Sequence, residues 1–170
     1  MDTKTQQATT ASFVGTWELE SFTETLQCGS SVEPMGKNPQ GFLLYTQDGI
    51  VSAQLSGPSR NQNDPSSEEP GAADGTRQFA TPYIGYCGSF TVNPESQEVV
   101  HYPSVAHDRQ LIGRALHRTF QFDADRLTLT TSTAEAGEHI VEAQLVWRRH
   151  HSMGVRSNSA KALLIQRTSE

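Results

Sequence analysis

Long hydrophobic runs, cysteines and basic residues are all scarce in this chain of 170 residues, and each shortage argues against a class of protein. No apolar run approaches the roughly 18 residues that a membrane span needs. Two cysteines, Cys28 and Cys87, are too few to indicate a disulfide framework, so we expect a reducing, cytoplasmic location. Residues 1–10 are polar and lack the apolar core of a secretory signal.

The charge balance is acidic, with 13 basic and 19 acidic residues and a formal net charge of −6. Nucleic acids and anionic membranes attract basic surfaces, so we expect neither as a partner. The chain also lacks a Gly-rich phosphate loop, a Gly-x-Ser-x-Gly motif, and the Cys-x-x-Cys or His-x-x-x-His pairs of metal sites. His150 and His151 are adjacent in a basic segment, which does not favour a metal site. We therefore expect no metal and no cofactor.

The clearest pattern that is present lies near the N-terminus, where apolar and polar residues alternate from Gly15 onward. Trp17 and Leu19 share one face and the glutamates between and after them share the other. A period of two predicts a half-buried strand. Gly15 would let another backbone pass close to the start of this strand, and Trp17 would supply a large apolar ring to plug a closed sheet.

Similar alternation recurs along the chain. Asp48 and Gly49 form the strongest short-range hairpin signal and join two strands in antiparallel order. The predicted strands cover residues 13–23, 41–46, 50–56, 86–92, 98–103, 113–122, 126–133 and 139–148. Their regular spacing and the lack of long helical periodicity favour an all-β fold, a single up-and-down antiparallel barrel of about eight strands with short helical segments.

The chain is expected to form one domain, with residues 1–11 as a disordered lead and residues 12–170 as the barrel domain. Residues 57–75 are rich in Pro, Gly, Ser, Asn and Asp, which predicts a surface loop and leaves a lid over the barrel mouth as the alternative. Residues 76–83 are predicted to form one or two helical turns. After a linker at 150–159, residues 160–166 are predicted to form a short strand or helix that covers the barrel.

The Gly-Thr-Trp sequence at residues 15–17 resembles the Gly-x-Trp signature of lipocalins. Arg148 and Arg149 follow Trp147 at the place where that fold brings an arginine from the last strand onto the signature tryptophan. The chain more closely resembles the bacterial and fungal lipocalin-like domain proteins. The blocks that carry this resemblance are residues 14–19, 41–49, 52–55 and 145–149, with further matches at 83–90, 100–101 and 118–120.

This resemblance covers roughly residues 13–149 and implies a lipocalin-like barrel. Family members with assigned roles belong to fungal natural-product clusters and act as non-redox cyclases or isomerases. The resemblance therefore implies an activity of this kind on an apolar intermediate of secondary-metabolite biosynthesis. Residues 57–75 and the segment after Arg149 depart from the shorter family pattern.

Two polar residues are predicted to lie on apolar strand faces. Arg118 shares its face with Leu116 and Phe120, and His101 shares its face with Val99. A charge on an apolar face is costly unless it is paired or faces a wet cavity, so an inward Arg118 indicates a ligand pocket with a few polar anchors. The alternative is that Arg118 lies near a barrel rim and extends to solvent, and that His101 is an ordinary sheet residue.

Tyrosines supply further hydroxyl groups for a ligand oxygen. The two predictions for Gln54 disagree. Alternation places its side chain on the outside of the barrel, whereas the family resemblance suggests that it points inward. The predicted catalytic residues are His101, Arg118 and Tyr86, and the predicted substrate-binding residues are Tyr45, Gln54, Tyr83, Phe90, Leu116, Phe120 and Trp147.

These residues predict a cofactor-independent isomerase or cyclase. His101 would act as a general acid or base, Arg118 and a tyrosine would stabilise an enolate, and apolar walls would hold the substrate near its reactive conformation. A non-catalytic carrier of a small hydrophobic ligand is the alternative, and a structural barrel with a filled interior is a third. The expected partner is a small apolar molecule. A homodimer is compatible with the sequence, which does not define the oligomeric state.

Overall fold

Alternating apolar and polar residues produce a structure made almost entirely of strands. The computed structural model describes residues 9–57, 83–132 and 140–151. Within those residues it contains the short helix α1 (Thr10–Phe13), the strands β1 (Gly15–Leu26), β2 (Ser31–Val32), β3 (Gln40–Tyr45), β4 (Ile50–Ser56), β5 (Tyr83–Asn93), β6 (Glu98–Ala106), β7 (Leu116–Asp123), β8 (Arg126–Ser132) and β9 (Ile140–Arg149), and a 3-10 turn at Arg109–Leu111.

Eight of these strands close into a barrel because the first pairs with the last. Going round the barrel, β1 is followed by β3, β4, β5, β6, β7, β8 and β9, and β9 pairs again with β1. Every one of these pairings is antiparallel. The two-residue strand β2 pairs with Glu24 and Thr25 of β1. The predicted all-β, up-and-down barrel is therefore confirmed.

Strand bounds follow the alternation with small differences. The strand β4 covers the predicted residues 50–56. The strand β5 begins at Tyr83 rather than at residue 86, because its backbone pairing with β4 continues to Ser56. The strand β7 begins at Leu116 rather than at residue 113, because Gly113 has a φ of +79° in the turn that precedes the strand.

Other predicted segments lie wholly or mostly outside the described residues. These are residues 1–8 of the lead, the loop at 58–75, the helical turns at 76–82, and the chain from 152 onward. Cys28 is exposed and Cys87 is half-buried, and both are free thiols. Across the described ranges, no helix is long and apolar enough to cross a membrane.

The two ends of the barrel differ in the length of their connections. Short turns at 46–49, 94–97 and 124–125 join strands at one end, and longer connections at 27–39, 57–82, 107–115 and 133–139 join them at the other. The first end is the closed end. It is filled by an aromatic plug, in which Phe13 packs at 4.9 Å from Phe120 and 5.0 Å from Phe122, and Trp17 lies 5.9 Å from Phe122 between ring centroids.

Trp17 anchors the N-terminal segment to the last strand. Its ring is fully buried and its Nε1 donates a hydrogen bond to the carbonyl oxygen of Phe13 at 2.8 Å. The Arg149 guanidinium lies 4.0 Å from the ring centroid and donates to the carbonyl oxygens of Val14 at 3.0 Å and Ser12 at 2.7 Å. The expected stacking of an arginine on Trp17 is confirmed, and Arg149 is that arginine.

Gly15 is required for this contact, for a reason other than the one expected. Its φ of +135° is unfavourable for residues with a side chain, and a Cβ at this position would lie 2.9 Å from Nη1 of Arg149. The group that approaches Gly15 is therefore the Arg149 side chain and not a neighbouring backbone.

A β-bulge divides β1 into two parts with opposite alternation. The pairing of β1 with β9 shifts by one residue between Leu19 and Ser21. Leu19 points into the barrel before the bulge, whereas Phe22 and Glu24 point inward after it. The strict alternation predicted for this strand therefore holds only as far as Leu19.

The neighbouring arginines of β9 provide a matched test of the closed end. Arg149→Met should lower the free energy of unfolding by about 2–3 kcal/mol, because it removes two hydrogen bonds to backbone carbonyls and a stacked cation. Arg148→Met should change it by less than about 1 kcal/mol, because the contacts of Arg148 within the described residues are exposed ion pairs with Glu18 and Glu20. Urea unfolding of both variants measures the difference, and equal losses would contradict the anchoring role of Arg149.

Candidate functional site

The barrel interior contains a cavity of about 220 Å³ in the half that lies away from the plug. Its lining is mostly apolar, with a small number of polar groups, which is the usual composition of a small-molecule site. The apolar lining residues are Phe22, Leu43, Ala53, Leu55, Ile84, Leu129, Ala143 and Leu145, and the residues with polar groups are Glu24, Tyr86, Arg118, Thr131 and Trp147.

Behind this cavity lies a buried imidazole held between two phenols. His101 of β6 is completely buried. Its Nε2 lies 2.8 Å from the hydroxyl oxygen of Tyr45 on β3, and its Nδ1 lies 2.7 Å from the hydroxyl oxygen of Tyr86 on β5. Both ring nitrogens are therefore hydrogen-bonded, as buried polar atoms require.

The protonation state of this group follows from its surroundings. Burial lowers the pKa of His101 well below its ordinary value, and the positive charge of Arg118 lowers it further. Burial also raises the pKa of both Tyr45 and Tyr86, so both phenols keep their protons at neutral pH. A neutral imidazole has one N–H donor and one acceptor nitrogen. One tyrosine must therefore donate to the ring while the other accepts from it.

The position of the cavity decides which tyrosine donates. Tyr45 is buried and does not line the cavity, and within the described residues its hydroxyl hydrogen-bonds to His101 and to no other group. Tyr86 lines the cavity, where a ligand or water can accept its proton. We therefore assign the ring proton to Nδ1, so that Tyr45 donates to Nε2 and Nδ1–H donates to Tyr86. The hydroxyl proton of Tyr86 is then free to point into the cavity.

Arg118 adds positive charge to the same wall. It lies on the same face of β7 as the buried residues Leu116 and Phe120 and is itself half-buried. Its Nη1 donates a hydrogen bond to the carbonyl oxygen of Leu116 at 3.0 Å. Among the described residues no carboxylate lies within 4.0 Å of its nitrogens. Arg118 and Tyr86 line the same cavity, and the positive charge of Arg118 acts to lower the pKa of both Tyr86 and His101.

Trp147 contributes an unsatisfied donor. The side chain is 1% exposed and lines the cavity, and none of the described residues accepts a hydrogen bond from its Nε1. A buried N–H without an acceptor is destabilising by about 1–3 kcal/mol, and such groups are rare in folded proteins. This donor could therefore bind an acceptor in the cavity.

Glu24 is a lining residue that the sequence did not indicate. Burial raises the pKa of its carboxyl above the ordinary value. It reaches the interior because the bulge in β1 reverses the alternation after Leu19. The signal that could have indicated it is the alternation itself, since Phe22 and Glu24 restart an inward pattern out of phase with Trp17 and Leu19.

The structure brings some of the predicted residues together at the cavity. Tyr86, Arg118 and Trp147 line it, and His101 and Tyr45 lie directly behind Tyr86.

The other predicted residues lie farther away. Phe90 packs against Tyr45 with ring centroids 4.7 Å apart, Leu116 is a buried residue paired with His101 across the sheet, and Phe120 belongs to the plug. Gln54 and Tyr83 are on the outer face, where the Tyr83 hydroxyl donates to Gln54 Oε1. Alternation, which places Gln54 outside, agrees with the structure. In the part of the chain that the structure describes, no three His, Cys, Asp or Glu side chains form a group able to hold a metal.

A comparison with protein families supports the fold and the kind of site. The family model for the lipocalin-like domain matches residues 14–150, which include every barrel strand from β1 to β9. The chain belongs to this lipocalin-like family. A search of curated proteins finds no match.

The lowered pKa of His101 predicts a loss of stability in acid. The unfolded chain binds a proton at His101 near pH 6.5, whereas the folded chain does not, so stability present at neutral pH is lost as the pH falls below that value. The expected slope approaches about 1.4 kcal/mol per pH unit. Urea unfolding from pH 7.5 to 5 should show a flatter profile for His101→Gln. His107→Gln, which replaces an exposed histidine, should retain the slope, and an equal slope in the wild type and His101→Gln would contradict the prediction.

The tautomer assignment is tested by nitrogen NMR of the histidine rings. At neutral pH the Nδ1 of His101 should resonate as a protonated nitrogen and its Nε2 as an unprotonated one. Tyr45→Phe should change the Nε2 resonance most, because it removes the donor to that atom. A protonated Nε2 in the wild type would contradict the assignment.

Proposed function

We propose that this lipocalin-like barrel binds a small, mainly apolar molecule and converts it by proton transfer without a cofactor, as an isomerase or cyclase. The observation that supports this most directly is the hydrogen-bonded Tyr45–His101–Tyr86 group, in which Tyr86 lines a mainly apolar cavity and, by the tautomer assigned above, has its hydroxyl proton free for a ligand. A carrier needs only volume, whereas this cavity also has a directed proton donor beside a positive charge. The sequence resemblance supports a substrate from secondary-metabolite biosynthesis, and the two free thiols support a cytoplasmic location.

Tyr86 and Arg118 would act on a substrate oxygen. Tyr86 donates a hydrogen bond to a carbonyl oxygen, and the guanidinium of Arg118 stabilises the negative charge that develops there as an enolate forms. His101 does not line the cavity, so it serves as a positioning residue. Its Nδ1–H holds the Tyr86 oxygen in place and makes that hydroxyl a stronger donor.

Glu24 would supply the base. The strand β5 follows β1, β3 and β4 around the barrel and lies nearly opposite β1, so Glu24 and Tyr86 flank the cavity from two sides. The carboxylate removes a proton from the carbon beside the carbonyl, the C–H electron pair forms the C=C bond of the enolate, and the π pair of the carbonyl moves onto its oxygen. In a substrate with a second double bond next to that carbon the product is a dienolate, and return of the proton to its far carbon shifts the double bond, gives an isomer and regenerates the carbonyl without an oxidant or reductant. Burial raises the pKa of Glu24, which strengthens it as a base.

The cavity volume limits the substrate. A cavity of about 150 Å³ holds benzene, so the 220 Å³ of this cavity fits a single substituted ring better than a long extended chain. The aliphatic side chains that make up most of the lining equally favour binding without conversion. Carriage of a small hydrophobic ligand is therefore the alternative function, and the test must separate it from catalysis.

Deuterium exchange tests for proton transfer without knowledge of the natural substrate. In D₂O the protein should speed the exchange of hydrogens beside the carbonyl of cyclohexanone or acetophenone above the rate in buffer, because enolate formation is the proposed step. Tyr86→Phe should lower the protein-dependent rate by about 100-fold or more. Tyr102→Phe, which alters an exposed tyrosine on β6, should leave the rate unchanged.

Mass spectrometry of the ketone measures the exchange, and NMR titration measures its binding. Binding of both ketones at the buffer rate of exchange would favour the carrier function. Protein-dependent exchange that is unchanged in Tyr86→Phe would contradict the proposed role of Tyr86.

A further inference from the structure

We infer that the ligand of this cavity is a ring-sized molecule with oxygen acceptors on two opposite sides, and that the oxygen at Tyr86 and Arg118 is negatively charged or becomes so. This inference rests on the proposed function, because it names the substrate class of the same cavity. It follows from donors on opposite walls for which the described residues supply no acceptor.

The first pair of donors lies on β5 and β7. The Tyr86 hydroxyl proton is left over once Tyr86 has accepted the hydrogen bond from His101. Arg118 donates one N–H to the Leu116 carbonyl oxygen, and its guanidinium has further N–H groups that can donate to a ligand. Because the described residues offer Arg118 no carboxylate, its half-buried charge is compensated best by an anionic oxygen of the ligand.

The second donor lies on the facing wall. The strand β9 lies four strands from β5 in either direction round the eight-strand barrel, so Trp147 and Tyr86 are on opposite walls. The indole N–H of Trp147 is buried, lines the cavity and finds no acceptor in the described ranges of the chain, so it independently indicates a ligand acceptor at that side. One apolar hydrocarbon would leave both sets of donors unsatisfied.

The carboxylate of Glu24 lies away from the proposed position of the anionic ligand oxygen. It is on β1, next to β9, and not on the wall of β5 and β7. The anionic oxygen at Arg118 is thus kept apart from the acidic side chain. The acceptor at Trp147 is a neutral oxygen such as a carbonyl, which tolerates a nearby carboxylate better than a second anion would.

Three small probes of similar shape distinguish the contributions of the two proposed ligand oxygens to binding. 4-Acetylbenzoate carries both groups, 4-isopropylbenzoate lacks the acetyl oxygen, and 4-acetylbenzamide lacks the negative charge. The carboxylate is a stable substitute for an enolate. NMR titration of the full chain should show that 4-acetylbenzoate binds about tenfold more tightly than the benzamide and about fivefold more tightly than the isopropyl compound.

The two tryptophans provide an internal control. The Trp147 indole N–H resonance should move downfield with the two acetyl probes and not with 4-isopropylbenzoate. The Trp17 indole N–H should not move with any probe, because it already donates to the Phe13 carbonyl. This readout needs no substitution at Trp147, so it holds even where a Trp147 variant fails to fold.

A pair of arginine variants tests the charged end. Arg118→Gln should abolish the preference for benzoate over benzamide, and Arg126→Gln, which alters an arginine paired with Glu20 on the outer face, should retain it. Equal affinity for the three probes would overturn the inference while small-molecule binding stands. Absence of binding by any probe to the folded protein would also overturn it, and the deuterium-exchange experiment would then decide the proposed function separately.

Discussion

A neutral imidazole offers one donor and one acceptor, and this constraint organises the interior of the barrel. Burial lowers the pKa of His101, so the ring is neutral at neutral pH and its two hydrogen bonds run in one direction, which we assign from Tyr45 through the ring to Tyr86. In this direction the hydroxyl proton of Tyr86 takes no part in the two hydrogen bonds. Because Tyr86 lines the cavity and Tyr45 does not, the buried hydrogen bonds influence the polarity of the cavity wall.

The same group connects the cavity to the closed end. The ring of Tyr45 packs 5.2 Å from Phe13, which the short N-terminal helix inserts into the barrel, and 4.7 Å from Phe90. Phe13 is in turn fixed by the hydrogen bond from Trp17. Packing of the plug therefore sets the position of the Tyr45 hydroxyl, which hydrogen-bonds to His101. Stability at one end and chemistry at the other are linked through Tyr45, although neither Trp17 nor Arg149 approaches the cavity.

The sequence predicts much of this arrangement because alternation is a local signal. It predicts eight barrel strands, places His101 and Arg118 on apolar faces without deciding whether those faces line a pocket, and places Gln54 outside. The depth of a side chain along the barrel axis does not follow from its sequence neighbours. His101 and Tyr86 both point inward, and only the register between β5 and β6 shows that Tyr86 lies between His101 and the cavity. Periodicity read from Trp17 alone misses Glu24, because the change of pairing that turns it inward depends on β9.

The bulge in β1 has a consequence for how the strand can be altered. On either side of it the inward positions have opposite parity, so Trp17 and Leu19 before the bulge and Phe22 and Glu24 after it form two separate sets. Deletion of the extra residue would leave Phe22 and Glu24 facing inward, because it restores regular alternation from Leu19. Deletion of Thr23, beyond the bulge, would instead turn Glu24 to solvent and Thr25 inward, and would replace an acidic wall by a hydroxyl one. Trp17 and Arg149 lie before the change and would stay stacked, so the cavity half of this strand can be altered separately from the half that holds the plug.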